Sequence, residues 1–189
     1  MSTYRLLFRL RNAIIAPLLF FALFSSFYKY ENGKIVWPVG VFIFLVGFFF
    51  RIWGQEHLHY RLKGHKSLTL TGPYGLVRNP IYIGSILISV GAIVTSGLLW
   101  LVPLTFFYCL GVYSLVIRYY EEPHLLEKYG DPYGRYMLEV PRWFPKVFRF
   151  KKLELINKYF FQSFIVETPC LLILLPFIIK EIALHWLKY

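Results

Sequence analysis

Two polar segments hold the residues able to do chemistry. The first reads Gly72-Pro73-Tyr74-Gly75-Leu76-Val77-Arg78-Asn79-Pro80-Ile81-Tyr82. The second holds Glu121-Glu122, Tyr129-Gly130-Asp131, Tyr133, Tyr136 and Pro141-Arg142-Trp143-Phe144-Pro145. Each lies beside apolar runs long enough to enter a membrane. Two adjacent acids at such a boundary cost solvation unless a cation is near. They either pair as solvated helix-end charges with Arg118 or Lys128, or face a cationic ligand. Arg78, followed at once by Asn-Pro-x-Tyr, orders its loop or contacts a carboxylate. No C-x-x-C or H-E-x-x-H spacing occurs, so no metal site is expected. Cys109 and Cys170 both fall inside apolar runs and read as buried small hydrophobes.

The elements that must position these residues are membrane helices. The chain has 189 residues, of which 57% are hydrophobic, 21% aromatic and 16% charged. Soluble domains carry about 25% charged residues. Five apolar stretches stand out, at about 13–28, 36–53, 81–96, 98–117 and 162–187. A crossing helix needs about 20 residues, and flanking aromatics such as Tyr28, Tyr30, Trp37 and Trp53 lengthen several of the spans. No small-residue cleavage site follows the first stretch, which argues against a signal sequence. The expected fold is all-α: a single domain, 1–189, forming a polytopic transmembrane bundle of about five spans.

With the N-terminus in the cytoplasm, five crossings leave only Lys29, Lys34, Lys180 and Lys188 of the 21 basic residues outside. Cytoplasmic segments are the ones that carry Lys and Arg. Both motif segments then share the cytoplasmic side. The uncharged link Thr95-Ser96-Gly97 makes the third and fourth spans an antiparallel hairpin, which holds the two motifs together. The net charge of +11 sits between apolar runs rather than on a soluble basic face. That pattern suits an anionic leaflet and not a nucleic acid.

Together the motifs resemble those of the integral-membrane methyltransferases related to isoprenylcysteine carboxyl methyltransferase and phosphatidylethanolamine N-methyltransferase. That family carries G-x-Y…R-H/N-P-x-Y, then E-E…[FY]-G-x-x-Y-x-x-Y downstream. The resemblance covers about residues 40–147; the apolar spans at 13–28 and 162–187 carry no matching motif. It implies S-adenosylmethionine as cofactor, held in a cytoplasmic pocket built from the 66–82 loop and the 118–145 segment. It also implies a lipophilic methyl acceptor entering from the bilayer: a prenylcysteine-like carboxylate, a phospholipid amine, or another small O, N or S nucleophile.

By the same resemblance Lys66, Ser67, Leu68, Thr69, Tyr74, Asn79, Tyr82 and Glu121 would hold the cofactor. Arg78, Asn79, Tyr82 and Glu122 would serve the chemistry, and Arg118 or Arg142 would orient an acidic or phosphate-bearing acceptor. Lys66 and Asn79 stand where relatives more often have histidine. Asparagine cannot take up a proton near neutral pH, so a general-base role does not carry over to Asn79. His124, on the Glu121 face of a helix, is a speculative base; His59 and His65 are candidates by proximity alone. Two other readings use the same scaffold. One is a reductase resembling the sterol reductases, with a nicotinamide cofactor; the other is a non-catalytic lipid-binding protein.

Overall fold

Prolines, glycines and charges between the apolar runs set where helices start and stop, and among the described residues the fold is all-α, with no strand. The computed structural model describes residues 3–11, 13–25, 29–30, 32–58, 68–145 and 156–186. In chain order the helices are α1 (Thr3–Leu10), α2 (Ala16–Phe24), α3 (Gly33–His57), α4 (Pro80–Thr95), α5 (Leu101–Val116), α6 (Glu122–Tyr129), α7 (Asp131–Glu139), α8 (Phe160–Glu167) and α9 (Leu175–Trp186). A 3₁₀ turn, Gly72–Gly75, precedes α4; a π segment, Ile117–Glu121, joins α5 to α6; a second 3₁₀ segment, Thr168–Ile173, joins α8 to α9.

Among the described residues three helical stretches are long and apolar enough to cross a membrane: Gly33–His57, Leu101–Tyr129 and Phe160–Ala183. Helix α4 has 16 residues and α2 has 9, both short of the roughly 20 that a crossing needs. Two of the five expected spans are therefore shorter helices. Pro17 opens α2 and Ser25 leaves it in extended conformation, ψ 144°, so the apolar run of 13–28 is only partly helical.

Helix α3 outlasts its apolar run because its last polar residues find partners. Asn157 Nδ2 donates to the Glu56 carbonyl at 3.1 Å and His57 Nδ1 lies 2.9 Å from Thr71 Oγ1. Helix α5 runs on past the expected membrane exit. Pro123 lacks an N–H and its ring crowds the carbonyl four residues back. The turn widens just before it, where the Glu122 N–H reaches Ile117 O, five residues back. Such π turns let a helix continue through a local insertion.

Helices α3 and α4 are antiparallel and in unusually close contact. Gly40, Gly47 and Gly54 recur every seven residues, about two turns, and so share one face. A Cβ at Gly47 would fall 2.7 Å from Gly84 O, and one at Gly84 would fall 2.6 Å from Gly47 O. In lipid, where burying apolar surface gains little, backbone contact through small residues is what holds helices together. The expected hairpin follows: α4 turns into α5 at Ser96-Gly97, with Gly97 at φ +79°.

Hydrogen bonds sort the helix ends into two groups. At one end Tyr30 N–H donates to Gly97 O at 2.9 Å and Lys180 Nζ to Ser25 O at 2.8 Å, and Lys29 pairs with Glu181 at 3.0 Å. At the other, Thr69 Oγ1 donates to His57 O at 3.2 Å and Arg78 N–H to Pro141 O at 2.9 Å. Both motif segments belong to this second end.

Candidate active site

Main-chain contacts join the two motifs before any charge is counted. Besides the Arg78–Pro141 bond, Asn79 Nδ2 donates to Arg142 O at 3.2 Å and the Tyr136 hydroxyl to Tyr74 O at 2.8 Å. The Gly72 turn is pinned to α3: a Cβ there would sit 2.3 Å from His57 Nε2, and its φ is +57°. Only glycine meets both conditions.

Glu122 is the electrostatic knot. Arg142 grips it bidentately, Nε at 3.1 Å and Nη2 at 2.6 Å, and Arg78 Nη2 approaches it at 3.3 Å. The expected partners of the acidic pair, Arg118 and Lys128, do not take these places. Glu122 has both oxygens engaged by arginines, so its carboxylate ties the two motifs together.

These contacts frame a cavity of about 380 Å³, within the range of roughly 300–1,000 Å³ usual for small-molecule sites. Leu68, Thr69, Tyr74, Arg78, Asn79, Tyr82, Glu121 and Glu122 all line it. Two wall atoms, the Tyr82 hydroxyl and Arg78 Nε, are buried without a hydrogen-bond partner. Tyr82 is fixed by its ring against Tyr113, centroids 4.8 Å apart. Its hydroxyl and the Glu121 carboxylate are close enough to interact electrostatically, although no hydrogen bond of ordinary geometry joins them. Buried polar atoms normally have partners, so orphans in a cavity mark where a ligand group fits.

Tyr133 also lines the cavity; burial pushes its hydroxyl up to about 12 and raises that of Tyr136 as well. Both keep their protons at neutral pH and act as donors, not bases.

Other expected site residues fall elsewhere. Arg118 is exposed, its guanidinium 5.7 Å from the centroid of its neighbour Tyr119, and takes no part in the wall. Arg142 stands behind Glu122 rather than on the wall. His124 is exposed at the rim, stacked 6.4 Å from Tyr120. Lys66 and Ser67, with His59 and His65, lie outside the described residues.

The wall also holds residues that the motifs did not point to: Phe8 of α1 and Arg11 just beyond it, Arg51 and Gln55 of α3, and Ser85 of α4. Arg51 carried a readable signal, since an arginine within an apolar span is a functional candidate by default. Phe8 and Arg11 carried none, because an amphipathic N-terminal turn says nothing of what it covers.

A charged cavity at one end of a bundle of membrane-length helices is the architecture of a membrane-embedded enzyme. The sequence pattern of the phospholipid methyltransferase family matches residues 33–132, and the chain belongs to that family. The match runs from α3 to the start of α7 and takes in both the loop before α4 and the acidic pair. Membership implies methyltransferase activity at a membrane. No curated protein and no solved structure matches the chain.

Proposed function

We propose that this protein binds S-adenosylmethionine in the cavity between the two motifs and methylates an amphiphile that enters from the bilayer. The observation that carries the reading is the convergence of both motif segments on one cavity, with the Tyr82 hydroxyl and Arg78 Nε left unpartnered on its wall. The cofactor is a zwitterion with an added sulfonium charge, and the wall fits it with groups of both signs. Arg78 Nε suits the carboxylate, Glu121 the cationic part, and Tyr74 and Leu68 the adenosyl face. When bound, the cofactor supplies an electrophilic methyl group.

The protein's own task is then positioning. Holding a nucleophile in line with a methyl group converts an encounter into a unimolecular step, worth up to about 7–11 kcal/mol. Glu122, by clasping Arg78 and Arg142, fixes the loop that carries Tyr74 and Asn79. Asn79 acts through its bond to the Arg142 carbonyl and moves no proton. Tyr82 directs a polar atom to the boundary between cavity and membrane helices. A carboxylate or thiolate acceptor needs no base, whereas an ammonium must first lose a proton.

The test is transfer of a radiolabelled methyl group. Membranes containing the protein, given methyl-tritiated S-adenosylmethionine, should move label into the organic-soluble fraction. Label confined to the aqueous phase, with the protein folded, would count against a lipophilic acceptor.

The topology belongs to the same reading: five crossings, N-terminus and cavity cytoplasmic. It rests on the distribution of basic residues and on the gathering of both motifs at one end of the bundle. In a variant lacking Cys109 and Cys170, single cysteines at Asn32 or Leu99 should react with an impermeant maleimide on intact cells. A cysteine at Glu127 should react only after permeabilisation, and the opposite pattern would reverse the orientation.

A further inference from the structure

The inner wall of the cavity contains a polar group that neither motif includes. Arg51 lies six residues before the end of α3 at His57, about 9 Å down the helix at 1.5 Å per residue. Its Nε donates to Glu167 of α8 at 2.7 Å and its Nη1 to Ser85 of α4. Glu167 therefore fixes the guanidinium and offsets the cost of burying it. Ser85 gives its own proton to Ile81 O at 3.0 Å. One turn along α3 from Arg51, on the same face, stands Gln55, 2% exposed, with Nε2 lacking any hydrogen-bond partner. Arg51, Gln55 and Ser85 all line the cavity. What this wall offers a ligand is N–H donors beside a cation.

We propose that Arg51 and Gln55 form an oxyanion subsite that binds an anionic group of the methyl acceptor. A wall of donors beside a cation bonds a carboxylate or phosphate oxygen more strongly than the oxygen of a neutral alcohol, and leaves an ammonium without a matching partner. The charge of the wall agrees: among the described residues Arg11, Arg51, Arg78 and Lys128 line it, with Glu121 and Glu122 as the acids. Glu167 comes from outside the family-matched region of 33–132. The subsite is thus tuned by the C-terminal helices, which would otherwise have no part in the site.

The inference rests on the methyltransferase reading, and the test separates the two. Dodecyl phosphate, laurate and dodecanol share one tail and differ in the head, so their binding to the detergent-solubilised, S-adenosylhomocysteine-loaded protein isolates the headgroup. One or both anions should bind at least roughly tenfold tighter than dodecanol, the scale of one hydrogen bond to a charged group. Tighter binding of dodecyl phosphate assigns a phosphoester head and of laurate a carboxylate head; either supports the subsite. Gln55→Leu should remove most of this preference while S-adenosylhomocysteine affinity stays within about twofold, because a missing donor is felt only by the group it served. Arg51→Lys keeps the charge beside Glu167 but loses the fork, and should act in the same direction. Equal binding of all three probes to the unaltered protein, or an unchanged preference in folded Gln55→Leu, would overturn the proposal. Failure of the unaltered protein to bind S-adenosylhomocysteine would instead strike the methyltransferase reading.

Discussion

Replacing Glu122 by alanine is expected to produce the largest single loss in this protein. The substitution leaves Arg78 and Arg142 facing each other without the carboxylate that both now hold. Breaking a buried pair by removing one partner costs about 3–5 kcal/mol. The Arg142 side chain keeps 29% of its exposure, against 11% for Arg78 and 12% for Glu122. Water therefore relieves part of the penalty, and about 3 kcal/mol is the figure to expect. Thermal unfolding in detergent should show the drop. Methyl transfer should fall further, because the Arg78 loop and the segment before Trp143 lose their common anchor. Glu122→Gln, which can still accept a hydrogen bond, should be milder on both measures. An alanine variant with unchanged melting temperature and activity would show that the two motifs are held together by other means.

The second large effect concerns Glu121. Its neighbour's carboxylate is taken up by arginines, whereas Glu121 lines the cavity across from the unpartnered Tyr82 hydroxyl. Glu121→Gln is close in shape and removes only the charge. A hydrogen bond to a charged group contributes about 1.5–3 kcal/mol, so S-adenosylhomocysteine should bind roughly ten- to hundredfold more weakly. Stability should change little, since among the described residues no cation is hydrogen-bonded to this carboxylate as Arg142 is to Glu122. An unchanged dissociation constant in a folded variant would place Glu121 outside the cofactor site.

These two neighbours illustrate what was legible in the sequence. Local chemistry could be read: a turn at Gly72–Gly75, a helix opened by Pro80, a break at Gly130 and a hairpin at Gly97 all follow from residue type. The division of labour between Glu121 and Glu122 could not, because it depends on which helix face meets Arg142, 20 positions away. Distance along the chain hid still more in the case of Arg51 and Glu167, which are 116 residues apart. Only the packing of α8 on α3 brings them together. The close approach of α3 and α4 lay between these cases. Gly40, Gly47 and Gly54 at a seven-residue spacing, opposite Gly84 and Gly91, form a pattern visible in the residues, but its meaning needs the antiparallel pairing. Helix length was less legible than apolar composition: among the described residues of 13–28 the helix is 9 residues long. Conversely, α3 keeps its helix through the polar Gln55-Glu56-His57, where Asn157 bonds the Glu56 carbonyl and Thr71 meets the His57 ring, both partners from distant parts of the chain.

Ligand choice decides most directly whether this cavity is a methyl-donor site. A reductase on a related scaffold would bind a nicotinamide dinucleotide, and a lipid-binding protein would bind neither. Titration calorimetry of the detergent-solubilised protein with S-adenosylhomocysteine and, separately, with NADPH distinguishes the three. S-adenosylhomocysteine should bind with a stoichiometry near one, weaken in Glu121→Gln, and show no competition from NADPH. Binding of NADPH without S-adenosylhomocysteine, or heat from neither ligand, would contradict the assignment.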